Sequence, residues 1–198
     1  MTSRREFLKV GLTASALLPV GARASFVGVE TRASVVPLYK VLYDSRFAAS
    51  VAFARRAAAR GIAVHAMTGD MTPFWYDDLY HRWRKEPVAI AGLTAHGALF
   101  CLERLAWEQR MRVVYRGEHA AASGGCIAHR FEGSRRLATA AAEATIDAGW
   151  ASALADVVAE CPRGREEAGS AESSTIGAEA AVLSEPLYSW VIAPVPRA

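Results

Sequence analysis

The chain has 198 residues, 52% of them hydrophobic, and a formal net charge of +3. Four basic residues lie in the first 24 positions against the single acid Glu6, so residues 25–198 are formally neutral. Such a balance gives no electrostatic footprint for nucleic acid or an anionic membrane surface, and no later apolar stretch reaches the roughly 20 residues of a spanning helix.

The chain opens with Arg4-Arg5-Glu6-Phe7-Leu8-Lys9, continues as an apolar run over residues 10–20, and closes that run with Ala22-Arg23-Ala24. These are a charged start, an apolar middle too short to span a bilayer and a small-x-small cleavage site. The paired Arg4 and Arg5, followed by Phe7, Leu8 and the lysine, resemble the twin-arginine signal peptides of exported proteins. The resemblance covers residues 1–24 alone. It implies passage through the twin-arginine translocase, cleavage after Ala24, a folded passenger of about 174 residues in the periplasm and no stable membrane anchor. Passengers of this class often carry a cofactor or travel with a partner that does, which raises the expectation of redox work without naming a cofactor.

Residues 25–198 are of a length for one domain with its own core. Residues 35–43 read as a strand, 45–60 as an alanine- and arginine-rich helix ended by Gly61, and 62–67 as a second strand. Thr72-Pro73 opens a helix to about residue 85. Residues 87–93 give a third strand, Thr94 caps a helix to about residue 109, and 111–115 give a fourth strand. This alternation predicts a single α/β domain: consecutive βαβ units, a mainly parallel sheet and helices on both faces. Beyond it come a glycine-rich loop over 123–133, one or two helices over 134–161 with a break at Gly149, a mobile loop at 162–180 and a strand over 187–193. No internal repeat is evident.

Three cysteines in an oxidising compartment leave at least one unpaired. Cys101 falls in an apolar helical run and reads as buried, so Cys126 and Cys161 are the disulfide candidates. No CxxC occurs, and the five histidines show no metal-ligand spacing, so no metal site is expected.

Ligands of parallel sheets bind beyond the carboxyl ends of the strands. The loops expected there carry Asp44, Ser45 and Arg46, then Thr68 and Asp70, then Thr94 and His96, then Arg116, Glu118 and His119. Asp44, His96, Glu118 and His119 are the candidate catalytic groups; Ser45, Arg46, Asp70, Thr94 and Arg116 are the candidate ligand-binding groups. The same residues also suit plain helix caps and turns. Gly92-Leu93-Thr94-Ala95-His96-Gly97 resembles the nucleophile elbow of α/β-hydrolases in position, but has threonine for serine and His96 for the second glycine. Ser123-Gly124-Gly125-Cys126 with His129 reads either as a thiol and its base or as a turn that places a disulfide cysteine. His65, alternating within a strand, reads as a packed histidine. Trp75, Leu79 and Trp83 form a core stripe, with Tyr76 and Tyr80 beside it. No dinucleotide fingerprint follows the first strand, and no P-loop is present.

Two functions follow as expectations. One is an exported binding or accessory protein, in the form of a small subunit accompanying a periplasmic oxidoreductase. The other is a small periplasmic hydrolase, lyase or isomerase using the strand-end carboxylates and histidines.

Overall fold

A computed structural model describes residues 35–164, 166–176 and 183–195, so the signal-like segment with Arg4, Arg5, Phe7, Leu8, Ala22 and Ala24 lies outside the described residues. The strands are β1 (Leu38–Asp44), β2 (Val64–Met67), β3 (Ala89–Ala95), β4 (Met111–Ala122), β5 (Cys126–Ser134), β6 (Ala168–Ile176) and β7 (Leu187–Pro194). The helices are α1 (Ala48–Ala59), α2 (Thr72–Phe74), a π-helical turn (Trp75–Leu79), α3 (Tyr80–Lys85), α4 (His96–Glu108), α5 (Arg135–Ala144) and α6 (Trp150–Ala159). The order across the sheet is β2-β1-β3-β7-β4-β5-β6.

The domain is α/β with helices on both faces, but the sheet is mixed rather than mainly parallel. Strands β2, β1 and β3 run parallel, as two βαβ units require. Strand β7 enters between β3 and β4, antiparallel to both, and β5 and β6 continue antiparallel. Part of the difference is β7 itself, an expected strand that takes a central rather than an edge position, and two segments expected as loops supply the rest. The stretch over 123–133 is a tight turn at 123–125 followed by β5, and the stretch over 162–180 contains β6.

Alternation sorts the side chains of the central strands. On β3 and β7, Ala91, Leu93, Leu187 and Val191 face one side, where they pack with Phe53 of α1, Leu137 of α5 and Trp150 and Leu154 of α6. Ile90, Trp190 and Ile192 face the other, against Trp75, Leu79, Trp83, Leu99 and Leu102. The expected stripe of Trp75, Leu79 and Trp83 is buried, whereas Tyr76 is 62% exposed. His65 is half-buried, its ring 4.6 Å from that of Phe74. Gly92 makes room for Trp190: a Cβ there would lie 2.5 Å from the indole.

The cysteine expectations are corrected. Cys101 is exposed on α4, Cys161 is buried, and all three thiols are free. Cys126 starts β5, while Cys161 lies beside Ser134 at its other end, so eight strand steps put them roughly 27 Å apart. A disulfide requires Cα atoms within about 7 Å.

Candidate functional site

The register brings the strand-end candidates to one level of the sheet, although Arg116, Glu118 and His119, expected in a loop after the fourth strand, lie within β4, which runs on to Ala122. Thr94 and Ala95 of β3 pair with Tyr188 and Leu187 of β7, which pair in turn with Glu118 and His119 of β4. Asp44 lies at the same level, at the end of β1.

Most of these side chains are engaged in shaping the edge itself. Asp44 is fully buried; its Oδ1 accepts from the Arg46 amide at 3.2 Å and from Nε at 2.9 Å, and its Oδ2 from the far end of the guanidinium at 2.6 Å. That clamp offsets the cost of burying a carboxylate. Ser45 donates to the Met67 carbonyl at 3.1 Å. Asp70 accepts from the Thr72 amide at 2.8 Å, a bond that holds its carboxyl below the usual range. Thr94 does not cap α4, whose N-cap is Ala95; its buried hydroxyl donates to the Ala95 carbonyl and accepts from Trp190 Nε1 at 3.1 Å.

The four candidate catalytic groups do not converge. His96 is exposed at the start of α4, its ring 5.3 Å from that of Tyr188. The Tyr188 hydroxyl donates to Glu118 at 3.3 Å, and partial burial together with the Glu118 charge raises its pKa. Arg116, on the same face, pairs with Glu103 at 2.8 Å. Glu118 and His119, adjacent on β4, project from opposite faces, and His119 is buried beneath Trp150.

Beneath Trp150 lies a polar chain that the strand-end argument does not reach. His119 Nδ1 is 2.8 Å from His129 Nδ1; His119 Nε2 is 2.9 Å from Ser189 Oγ, which is 3.3 Å from the Tyr115 hydroxyl. His129 Nε2 is 2.9 Å from Thr175 Oγ1, and the Thr175 hydroxyl donates to the Thr145 carbonyl. That carbonyl accepts only, so it orients every proton. Thr175 donates to it and accepts from His129 Nε2–H; His129 Nδ1 then accepts from His119 Nδ1–H, His119 Nε2 accepts from Ser189, and Ser189 accepts from Tyr115. Burial lowers the pKa of His129 to about 4 and, with the neighbouring imidazole, takes His119 well below the ordinary range. Both rings are neutral at pH 7 and closed off from water. The Ser123-Gly124-Gly125 turn is the sequence signal for this pair, since a hairpin centred there sets His119 opposite His129.

The open feature of the molecule is the outer face of α4. Phe100 and Trp107 are 48% and 46% exposed, and the Arg104 guanidinium lies between them, 5.3 and 4.4 Å from their ring centroids. Arg112 approaches Trp107 at 5.9 Å. Alongside, Glu118, Ala120, Ala128, Arg130 and Glu172 line a shallow groove of about 210 Å³ over β4, β5 and β6. Among the described residues no three His, Cys, Asp or Glu side chains are grouped to hold a metal, and no helix is long and apolar enough to cross a membrane. In comparisons with known proteins, no family model, no curated protein and no solved structure matches the chain.

Proposed function

We propose that the chain is an exported accessory protein that works in the periplasm by docking on a partner protein through the outer face of α4. The observation that carries this reading is the exposed Phe100–Arg104–Trp107 stripe. Its residues fall at i, i+4 and i+7 on one helix face, two large aromatic rings stay in water, and a guanidinium is stacked between them. Aromatic and arginine side chains of this kind anchor protein interfaces. Arg104 and Arg112 pair with no carboxylate among the described residues, so the partner surface they fit is acidic around an apolar centre. A periplasmic oxidoreductase is the partner class that the twin-arginine signal favours. The strand-end groups support a non-catalytic role, because Asp44, Asp70 and Thr94 are spent on local bonds and His119 is sealed inside.

The test is purification from the native periplasm at endogenous level, followed by native mass spectrometry, for the wild type and a Phe100→Ala, Trp107→Ala double variant. A stoichiometric second polypeptide that is lost from a normally folded variant is the expected result. A partner retained equally by the variant, or a bare monomer in both, would overturn the reading.

A further inference from the structure

The corner that joins α5 to α6 rests on the buried histidine pair at both of its feet. Ile146, Asp147, Ala148 and Gly149 are all exposed, whereas Thr145 before them and Trp150 after them are fully buried. Thr145 is tied down by its carbonyl, which accepts from Thr175, and by its hydroxyl, 2.7 Å from Ser173 Oγ. Thr175 accepts in turn from His129. Trp150 is tied down by contact alone: its ring covers both imidazoles, and its indole Nε1–H has no hydrogen-bond partner among the described residues. Gly149, at φ 85°, makes a joint between the two feet.

The surroundings of the pair have no carboxylate free to balance a positive charge. Strand β4 turns Tyr115 towards it, β5 Phe131, β6 Thr175, β7 Ser189, and the corner Thr145 and Trp150. Of these only Tyr115 titrates, and burial keeps it and the nearby Cys161 neutral. Asp147 is exposed on the corner; Glu118, Arg130 and Glu172 stand on the opposite face of the sheet; and Arg46, which shares a crevice with Trp150, is paired with Asp44. A second proton also has no place in the chain of bonds. On His129 Nδ1 it would meet the His119 Nδ1–H head on, and on His119 Nε2 it would turn away the Ser189 hydroxyl that donates there.

We infer that the pair is an acid-released latch: on taking up a proton it lets go of Thr145 and Trp150, and the corner lifts off the sheet while the rest of the domain stays folded. The imidazoles then reach water, and the orphaned indole N–H of Trp150 gains a partner there. The core on the other side of the sheet, around Leu42, Ile90, Leu99 and Trp190, contains no member of the latch. Closed, His129 takes its proton at about pH 4; released, it does so near 6.5. The released form therefore binds more protons, and its opening constant is about twentyfold larger at pH 5 than at pH 7 for His129 alone, with His119 acting in the same direction. This inference is independent of the α4 docking surface.

The test is hydrogen exchange of the ¹⁵N-labelled protein by NMR at pH 5 and pH 7, following the assigned indole N–H of Trp150 and the backbone amides of β3 and β7. Each rate is divided by that of the free group at the same pH. The Trp150 indole is expected to open at least about tenfold more often than the strand amides at both pH values, and about twentyfold more often at pH 5 than at pH 7. Low urea, which speeds the strand amides through global unfolding, should leave it nearly unchanged. The rise towards pH 5 should be smaller in His129→Asn. The proposal is overturned if the indole exchanges in step with the strand amides, if its opening does not change with pH, or if His129→Asn shows the full rise. The first two readings are made on the wild type, so they decide the matter whether or not the variant folds.

Discussion

The Nδ1 atoms of His119 and His129 stand 2.8 Å apart with one proton between them, and the carbonyl of Thr145 assigns that proton to His119. The pair is closed over by Trp150, whose ring lies 4.6 Å from one imidazole and 5.0 Å from the other. Its chemistry is that of a neutral, water-free hydrogen-bonded core. Two consequences concern stability.

The first is a pH dependence with a definite sign. In the unfolded chain each imidazole takes a proton near pH 6.5, whereas the native His129 holds out to about pH 4. The unfolded state therefore binds more protons, and stability is full above pH 6.5 and falls as pH drops towards 4. A shift of that size corresponds to about 3 kcal/mol for His129. Urea melts between pH 7.5 and 4.5 should show the decline, and His129→Asn should lessen it, leaving the share of His119, whose pKa burial also lowers; an equal slope in the variant would exclude His129 as a source.

The second concerns the anchor of the chain. Thr175→Val keeps the shape but removes the group that accepts from His129 and donates to Thr145, leaving a buried N–H and a buried carbonyl unpaired. The expected loss is about 2 kcal/mol by denaturant titration. A loss below about 0.5 kcal/mol would show that the chain is not closed at Thr145.

Gly117 guards the same chain from the side. A Cβ at this position would overlap Ser189 Oγ and lie 2.9 Å from Phe131. Gly117→Ala should therefore push Ser189 away from His119 and cost about 1–3 kcal/mol, more than an alanine on an exposed strand would. Thermal melts beside an Ala120→Ser control check this.

The thiols make a separate test of the fold. All three cysteines should titrate as free thiols in denaturant. In the native protein exposed Cys101 should react first and Cys161 should be protected, since burial also pushes its pKa up to about 12. A count of one free thiol after unfolding would restore the disulfide.

Export is tested at the other end of the chain. Replacing Arg4 and Arg5 by lysine should retain the full-length precursor in the cytoplasm, with processed protein absent from the periplasm by immunoblot. Normal processing of that variant would exclude the twin-arginine route.

The first half of the fold was legible because local signals coincide there. Gly61 and Gly69, both at positive φ, sit where chain turns were expected, Pro73 opens its helix, and short β-branched or apolar runs mark the strands. Strand β6 was not, because Ala168–Ile176 is rich in alanine, serine and glycine and has little intrinsic strand preference. Pairing with β5 and a close approach of α5 hold it extended: a Cβ at Gly169 would lie 2.8 Å from the Arg135 Cα. Strand β5 was obscured for another reason, since Cys126 and His129 suggested chemistry where the Ser-Gly-Gly turn makes a hairpin. The strand-end rule expected Glu118 and His119 in a loop, whereas they lie within β4, where alternation sends them to opposite faces.

Strand β7 has a consequence for the order in which the molecule assembles. Every contact of the sheet between β2-β1-β3 and β4-β5-β6 passes through it, although it follows all six in sequence. During synthesis the two halves each present a raw inner edge until Leu187–Pro194 emerges to zip them together. A nascent chain of this protein is thus two unfinished sheets until that last strand is made.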